Sequence, residues 1–191
     1  MIRIITLSII LLMSMALHAV ESKGDDVVAI LGDSNTWLGH DDCTGEKAWT
    51  REWVRLYAPA SARSYARSGA TWTNVTATRR NVEQVTGSLA DDNTIYNQTA
   101  RLAGAIASGE QPIPSLIIIM AGTNDAWFHN KRPGAFDMSA EEAMQVCDDD
   151  ALIAMEPGQV TTLALSVRHN VALLRRMAPD ATIVLVGPLQ S

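Results

Sequence analysis

Cysteine, histidine and phenylalanine are scarce in this sequence. Its 191 residues include two cysteines, four histidines and two phenylalanines. Two cysteines cannot form the dense disulfide framework of small secreted scaffolds, and cysteines and histidines this scattered do not match the spacing of metal ligands. The sequence therefore predicts no metal site. Cys43 and Cys147 could pair in an oxidising compartment, but the sequence alone leaves that pairing open.

Positive charge is scarce as well. The chain has 15 Lys and Arg residues against 21 Asp and Glu residues, which gives a net charge of -6 at pH 7. The pairs Arg79-Arg80 and Arg175-Arg176 are isolated and are typical of solvated helix faces. Because contacts to phosphates require a basic surface, we expect no nucleic-acid partner.

Long apolar runs are confined to the N-terminus. Arg3 precedes an apolar segment over residues 4–12, and small residues follow at Ser14, Ala16 and Ala19. This is the pattern of a cleaved secretory signal. Residues 1–19 are therefore predicted to be a signal peptide, and residues 20–191 a secreted or periplasmic domain with no stable membrane anchor after cleavage.

The most informative stretch runs from Val27 to Asn35. Its first five residues are apolar and uncharged, which is the pattern of a strand buried on both faces. Gly32-Asp33-Ser34-Asn35 follows at once. A serine just past a buried strand lies at the carboxyl edge of the sheet, where α/β proteins place their sites. The same residues are ordinary turn formers, so this stretch alone does not decide between a site and a turn.

Apolar runs of strand length alternate with amphipathic segments of helix length. Strands are predicted over residues 27–31, 63–68, 116–120 and 182–186. Strands that alternate with helices are typical of a parallel sheet covered by helices on both faces. Since no repeat, low-complexity segment or linker interrupts the pattern, we expect one doubly wound, three-layer α/β/α domain.

Four helices are predicted from apolar faces and end signals. Their defining residues are Trp49, Trp53 and Leu56 before Pro59; Ile95, Leu102 and Ile106 after an Asn93 cap; the Ser139–Glu142 capping box; and Val160, Leu163, Val167, Val171 and Leu174 before Pro179. The polar segment over residues 71–92 is predicted to be a long loop of the kind that is often functional.

Polar residues follow three of the four predicted strands. They form the blocks Gly32-Asp33-Ser34-Asn35, Ser68-Gly69-Ala70 and Gly122-Thr123-Asn124-Asp125. In this order, at successive strand ends, they resemble the SGNH hydrolases, the superfamily that includes GDSL-type esterases and lipases. That family's first block reads Gly-Asp-Ser-Leu or a near variant, its second centres on a glycine, and its third reads Gly-x-Asn-Asp. The resemblance spans residues 27–191 and implies the flavodoxin-like SGNH fold.

The resemblance also implies a serine esterase site. Ser34 would be the nucleophile, and the backbone N–H groups of Ser34 and Gly69 would form the oxyanion hole with the side-chain amide of Asn124. Glycine suits a backbone donor that must approach a substrate closely, and an asparagine amide donates without carrying charge. No cofactor is required. Structural support is assigned to Asp33, Gly122 and Asp125, the two carboxylates as acceptors of backbone N–H bonds.

One part of the family pattern is missing from the sequence. The family takes its general base from an Asp-x-x-His block after a fifth strand, and no Asp-x-x-His occurs here, so the domain is interpreted as C-terminally incomplete. His40 and His129 fall in predicted loops at the correct edge of the sheet and are the candidates for a substitute base. His169 is predicted to be a solvated helix residue. Without a fifth strand, residues 182–186 would be an exposed apolar edge that invites self-association.

Three tryptophans, Trp37, Trp72 and Trp127, each follow a site residue by three positions. We expect them to line the substrate-binding cleft, because flat aromatic faces suit sugar rings and acyl groups. The alternative is that one or two of them pack beneath the loops. Trp49 and Trp53, four residues apart on a predicted helix, are expected in the core.

Two functions from different classes remain. The first is a secreted serine ester hydrolase that cleaves small acyl or carbohydrate esters through an acyl-serine intermediate. The second is a catalytically inactive domain that retains the cleft and binds a ligand or a carbohydrate. A nucleotide- or flavin-binding protein is disfavoured, because Gly-Asp-Ser-Asn with acidic neighbours stands where a phosphate-binding loop would be needed.

Overall fold

Four parallel strands form the centre of the molecule. The computed structural model describes residues 24–83 and 90–187, and within them the sheet has the order β2-β1-β3-β4. The strands are β1 (Val27–Gly32), β2 (Ser61–Ser64), β3 (Leu116–Met120) and β4 (Thr182–Val186). Helices pack on both faces of β1 and β3, which are therefore almost entirely buried. This arrangement confirms the predicted three-layer α/β/α fold with four strands.

Seven α-helices lie within the described residues. They are α1 (Ser34–Trp37), α2 (Trp49–Tyr57), α3 (Ile95–Ala107), α4 (Thr123–Trp127), α5 (Ala140–Gln145), α6 (Asp149–Ile153) and α7 (Leu163–Met177). None of these helices combines the length and the apolar character that crossing a bilayer requires. The predicted signal peptide, residues 1–19, lies outside the described part of the chain.

Successive side chains of the central strands point to opposite faces of the sheet, so the core has two layers. Ala29, Leu31, Ile117 and Ile119 pack toward α3 and α7, whereas Val28, Ile30 and Ile118 pack toward α2. Because both faces of these strands are covered, both sets of side chains must be apolar, which explains the uninterrupted hydrophobic runs in the sequence.

α2 covers its layer with two tryptophans. Trp49 and Trp53 are partly buried against the β1 and β3 side chains, as expected, and Trp53 stacks on Tyr57 with ring centroids 4.6 Å apart. Leu56, predicted on the same face, is 67% exposed. The buried side of α2 is centred between Trp53 and the fully buried Thr50, so Leu56 lies at its flank.

The second strand is shorter than predicted. It ends at Ser64, whereas the sequence indicated residues 63–68. Beyond Ser64 the chain keeps only single contacts to β1: the N–H of Tyr65 donates to the Ile30 carbonyl (2.7 Å) and the N–H of Arg67 to the Gly32 carbonyl (3.1 Å). The segment therefore follows β1 toward the site without continuing the ladder.

The predicted loop over residues 71–92 is buried where it leaves the second block. Thr71, Trp72, Thr73 and Asn74 are at most 5% exposed, and the described part of the loop contains no helix. At the far end of the loop, α3 is capped by Thr94 and not by Asn93, whose side-chain amide instead donates to the Ser68 carbonyl (2.6 Å). The polar residues of this loop satisfy buried backbone groups that no strand partner reaches.

α7 buries a broader surface than the one predicted. Helices α3, α5 and α6 pack against it, so side chains on more than one side are covered. Leu163, Val167 and Val171, predicted to be buried, are only partly so. His169, predicted to be solvated, is fully buried, and its ring stacks on Tyr96 with centroids 5.7 Å apart. The prediction for His169 was wrong because it considered one buried face only.

Acid is expected to destabilise the fold through His169. Burial lowers the pKa of His169, and the Ile153 backbone offsets that effect only in part. The folded protein therefore holds a neutral imidazole, whereas the unfolded chain gains a proton below pH ~6.5. The free energy of unfolding should therefore fall as the pH is lowered from about 7 to about 5. The loss is about 1.4 kcal/mol for each unit by which the pKa of His169 in the folded protein lies below its value in the unfolded chain, down to the pH of the measurement. Urea titrations of the wild type and of His169→Phe measure the effect, and an identical pH dependence in the two proteins would contradict it.

The two cysteines are not paired. Cys43 is buried in the α2 layer, where burial and the neighbouring Asp42 and Asp41 raise the pKa of its thiol to about 11. Cys147 packs against the separate cluster formed by α5, α6 and α7. Since the two residues belong to different clusters, the disulfide that the sequence left open does not form.

β4 is the least buried strand. Within the described residues it pairs with β3 on one side only, and Val184, Leu185 and Val186 are 38–48% exposed. The exposed apolar edge that the sequence predicted is therefore present. Self-association through this edge stays a prediction.

Candidate active site

The first and third blocks leave the sheet side by side. β1 and β3 pair with Gly32 opposite Met120, and the N–H of Asp33 donates to the Met120 carbonyl (3.2 Å). Ser34 and Gly122 each lie two residues beyond this pair. The topology therefore brings the candidate nucleophile to the same edge as the third block.

The second block is a turn that lies against the first. The Arg67 N–H donates to the Gly32 carbonyl, and the Ala70 N–H donates back to the Arg67 carbonyl (3.2 Å). Gly69, within this turn, has a φ of +80°, which a side chain with a Cβ adopts only under strain. All three blocks that the sequence singled out thus end at one place.

Ser34 is the first residue of α1, and Asp33 caps that helix. The Asp33 carboxylate accepts the Asn35 N–H (3.0 Å) and the Asn35 side-chain amide (3.3 Å). Asp33 is almost completely buried, and this burial raises the pKa of its carboxyl, an effect that the donors of Asn35 and Thr123 oppose. The carboxylate is therefore used to hold the first turn of α1, which leaves Ser34 partly exposed at the start of the helix.

Asn124 joins the third block to the second. Its buried side-chain amide donates to the Ala70 carbonyl over 2.8 Å. An amide nitrogen carries two hydrogens, so this bond leaves the second one for another acceptor. The contact fixes an uncharged donor one residue away from Gly69.

Asp125 holds the chain that follows this turn. It is fully buried and accepts the N–H groups of Trp72 and Thr73, each at 2.9 Å, and the Thr73 hydroxyl at 2.7 Å. Burial raises the pKa of Asp125, while these donors and Arg132 lower it. Arg132 also donates to the Thr73 carbonyl (2.9 Å), so the backbone N–H and the backbone carbonyl of Thr73 are both hydrogen-bonded.

Gln98 is a site residue that the sequence analysis missed. From α3 it accepts the Gly32 N–H (2.9 Å) and donates to the Gly32 carbonyl (2.8 Å). This two-point contact fixes the last residue of β1, immediately before Asp33 and Ser34. A signal was available: Gln98 falls on the apolar face that Ile95 and Leu102 define, where a polar side chain must find a buried partner.

Three donors at the strand ends are left for a ligand. Among the described residues, the backbone N–H groups of Ser34 and Gly69 donate to no acceptor, and Asn124 keeps one amide hydrogen. Donors of this kind stabilise the negative oxygen that forms during acyl transfer. They are the same three groups that the resemblance assigns to an oxyanion hole.

No histidine of the described segments hydrogen-bonds to the Ser34 hydroxyl. His40 is exposed in the turn after α1, and His129 is exposed with its Nδ1 2.9 Å from the Ala126 carbonyl. His169 lies in the interior between α3 and α7. In residues 24–83 and 90–187, no group of three or more His, Cys, Asp or Glu residues is placed to hold a metal ion.

An apolar cavity of about 280 Å³ borders the third block. Of the three tryptophans expected in the cleft, only Trp72 contributes to its walls, and Trp72 is also part of the core. Trp37 and Trp127 are 37% and 68% exposed on α1 and α4, outside these walls. The other wall residues include Ala121, Gly122, Phe136, Leu163, Val167 and the end of β4.

A second, mostly apolar groove adjoins this cavity. The groove has a volume of about 550 Å³, lies along α5 and α7, and shares Phe136, Leu163 and Val167 with the first cavity. This is why the face of α7 that was predicted to be buried remains partly exposed.

Comparison with known proteins gives one family. Residues 28–154 match the sequence model of the family described as GDSL-like Lipase/Acylhydrolase. No curated protein matches the chain. A similar solved structure is that of "a putative GDSL-like lipase" from Bacteroides ovatus, with 17% identity and a TM-score of 0.52 over 86% of this chain and 73% of that one.

Two further solved structures are less similar in shape. "A putative GDSL-like lipase" from Bacteroides uniformis has 18% identity and a TM-score of 0.46, covering 85% of this chain and 71% of that one. "A possible lipase" from Chitinophaga pinensis has 19% identity and a TM-score of 0.45, covering 84% of this chain. The chain spans 48% of the length of the Chitinophaga pinensis protein.

The family match is stronger evidence than these structures, because structural similarity at such low sequence identity shows the fold alone. It extends over more than half of the chain, from β1 past β3, and includes all three polar blocks. The Bacteroides ovatus structure agrees with the parallel sheet and its helices. The chain therefore belongs to the GDSL-like lipase/acylhydrolase family.

Proposed function

We propose that this protein is an exported serine ester hydrolase in which Ser34 attacks the ester carbonyl. The observation that carries the proposal is the bond from the Asn124 amide to the Ala70 carbonyl, which fixes a donor beside Gly69. Asp125, the next residue, holds the chain two positions further on. Two adjacent side chains of the third block thus position the second block, while the sheet register places Ser34 at the same edge.

The chemistry follows from these positions. The Ser34 hydroxyl oxygen bonds to the ester carbonyl carbon as its proton passes to a base, which is water where no imidazole is at hand. The bond from that carbon to the alcohol oxygen then breaks, and the alcohol departs with a proton returned by the same base. The carbonyl oxygen becomes negative in between, and the N–H groups of Ser34 and Gly69 and the amide of Asn124 donate to it. Water attacks the acyl-serine and releases the carboxylic acid. In the family pattern the base is the histidine of an Asp-x-x-His block, which the 191 residues do not contain.

The apolar cavity favours an acyl group as the part of the substrate that the protein holds. Its described walls are Trp, Phe, Leu, Val, Ala and Gly, with no charged side chain among them. A sugar ring needs hydrogen-bond partners in its site, whereas an alkyl chain needs only apolar contact. We therefore place the acyl chain of the ester beside Gly122 and the carbonyl at the three donors.

Acyl transfer to Ser34 tests the proposal. The full chain is mixed with p-nitrophenyl butyrate, nitrophenolate release is followed, and intact-protein mass spectrometry detects a butyryl adduct. We expect the adduct on Ser34 in the wild type, and its loss in Ser34→Ala, with release falling to the rate of a protein-free solution. Ser61→Ala, at an exposed serine of β2, is the matched control and should behave as the wild type. Equal release by Ser34→Ala and the wild type would contradict the proposal.

A second candidate is an inactive domain that binds an ester or a carbohydrate in the same cleft. It is favoured by the Ser34 hydroxyl, which no imidazole of the described segments contacts, because a serine without a base is a weak nucleophile. In that case p-nitrophenyl butyrate would change the tryptophan fluorescence equally in the wild type and in Ser34→Ala, and no adduct would form. An adduct on Ser34 excludes this candidate.

A further inference from the structure

A further cavity, with a polar lining, borders Arg67, the residue that precedes the second block. It has a volume of about 370 Å³ and is formed where the edge strand β2 meets α3. In a protein with a net charge of -6, the described residues that line it include four arginines and two acidic residues. The charged lining residues are Arg63, Arg67, Arg80, Arg101, Asp41 and Glu110.

Two of the four arginines have carboxylate partners. Arg67 is buried and makes a two-point contact with Asp41, at 2.6 and 3.1 Å. Arg63 is 3.6 Å from Glu110, and both side chains are substantially exposed. The two acidic residues of the lining are therefore already engaged by these two cations.

The other two arginines have no carboxylate within ion-pair distance among the described residues. Arg101 is partly buried and donates to the neutral Tyr65 carbonyl, while its Nε is buried without a partner. Arg80 is exposed at the rim of the cavity. The buried Nε of Arg67 also lacks a partner. A cation held out of water without a counter-ion is costly, so a structure that keeps one is suited to receive an anion.

The electrostatics of Arg101 agree with this reasoning. Burial, reinforced by the neighbouring Arg67, lowers the pKa of Arg101 to about 10, and Asp41 and Tyr65 oppose this shift only in part. An anion in the cavity would offset both effects, because it attracts the guanidinium charge that burial and like charges disfavour.

We propose that this cavity binds an oxyanion of the phosphate or sulfate class, held chiefly by Arg101 and by Arg80. Planar guanidinium groups match the oxygens of such anions with two parallel hydrogen bonds. Arg67, fixed by Asp41, supplies further positive charge and joins the cavity to the site: its N–H bonds the Gly32 carbonyl, and Gly69 follows two residues later. The oxyanion site lies outside the proposed ester chemistry and stands whether or not Ser34 is acylated.

Titration of the full chain with inorganic phosphate tests this site. At constant pH and ionic strength, sodium phosphate should raise the Tm above its value in sodium chloride in a saturable way. Calorimetry with inorganic phosphate should give a Kd about 10-fold or more weaker in Arg101→Gln, since a charge-assisted pair is lost. Arg80→Gln, at an exposed position that does not endanger the fold, should also weaken the Kd several-fold.

Arg51→Gln is the matched control, because it removes the same charge from an exposed position on α2 outside the cavity. It should bind phosphate as the wild type does. The proposal is overturned if phosphate and chloride have equal effects on the wild type, or if Arg80→Gln and Arg101→Gln bind as tightly as the wild type.

Glycerol 3-phosphate distinguishes the two possible sources of the anion, an organic phosphate ester and free inorganic phosphate. A Kd about 10-fold tighter for glycerol 3-phosphate than for inorganic phosphate indicates an organic phosphate, and equal values indicate the free ion. Both results support an oxyanion site. Ser34→Ala should bind either probe as the wild type does, which separates this test from that of the esterase proposal.

Discussion

Replacing Asp125 with alanine is expected to lower the free energy of unfolding by about 3–5 kcal/mol. The carboxylate is 0% exposed and accepts three hydrogen bonds, from the Trp72 N–H, the Thr73 N–H and the Thr73 hydroxyl. Alanine leaves these donors buried without an acceptor and removes the negative charge that faces Arg132. Urea unfolding followed by tryptophan fluorescence measures the loss, and a loss below about 1 kcal/mol would contradict the assignment.

Asp125→Asn separates the role of the shape from that of the charge. The side-chain oxygen of asparagine can still accept hydrogen bonds from Thr73, whereas its NH₂ group would face the Trp72 N–H, and two donors cannot bond to each other. We therefore expect the free energy of unfolding to fall by less than it does in Asp125→Ala. Asp137→Ala, at an exposed carboxylate, is the control and should change stability by no more than about 0.5 kcal/mol. Because Trp72 lies three residues after Gly69, Asp125→Ala should also reduce acyl transfer to Ser34.

Gly32→Ala is expected to lower the free energy of unfolding by about 3 kcal/mol, at the upper end of the range for overpacked cores. A Cβ at this position would lie 2.5 Å from the Met120 carbonyl oxygen and 2.6 Å from the Thr36 hydroxyl. The Met120 carbonyl belongs to a central strand and accepts the Asp33 N–H, so it cannot move away cheaply. Thr36 is fully buried and has no room to withdraw.

Gly104→Ala is the matched control for this change. Gly104 lies inside α3, and a Cβ there would meet nothing within 4 Å. The same substitution should therefore stabilise the protein by about 0.5–1 kcal/mol, because alanine favours the helix. If both variants unfold at the same urea concentration, the close approach at Gly32 does not have the effect we assign to it.

These two positions have a common role. Gly32 is held from α3 by Gln98, from the second block by Arg67 and from β3 through its neighbour Asp33. Asp125 holds the chain beyond Gly69 in a similar way. Buried side chains therefore hold the backbone on either side of the candidate nucleophile and of the candidate oxyanion donors. Support of this kind keeps the geometry of a site constant.

Much of this arrangement could be predicted from the sequence. Strands β1 and β3 follow from uninterrupted apolar runs, and the three blocks follow from polar residues placed directly after strands. The edge strand β2 was placed two residues too late at its start, because a strand with one neighbour needs no apolar run. The capping residue of α3 was wrong by one position, since Asn93 and Thr94 are both good caps and only the backbone geometry chooses between them.

The three tryptophans show that spacing along the sequence does not predict which side chains are buried. Trp37, Trp72 and Trp127 stand at the same distance from three site residues, yet Trp72 is buried, Trp37 is partly exposed and Trp127 is largely exposed. Equal spacing along the chain fixes the distance from a strand end but not the direction in which the following turn points. Only Trp72, held by Asp125, is brought to the apolar cavity.

By itself, the sequence determined the parallel sheet, the order of its strands along the chain and the family of the protein, because these depend on local runs of residues and on motifs that each span a few positions. Only the tertiary structure decided which residues meet: Gln98 with Gly32, Asp125 with Trp72, and Arg101 with Arg67. The physical reason is that burial and pairing depend on residues far apart in the sequence. The buried His169 is the plainest case, since Tyr96 of α3 and the backbone of Ile153 in α6 lie next to its ring.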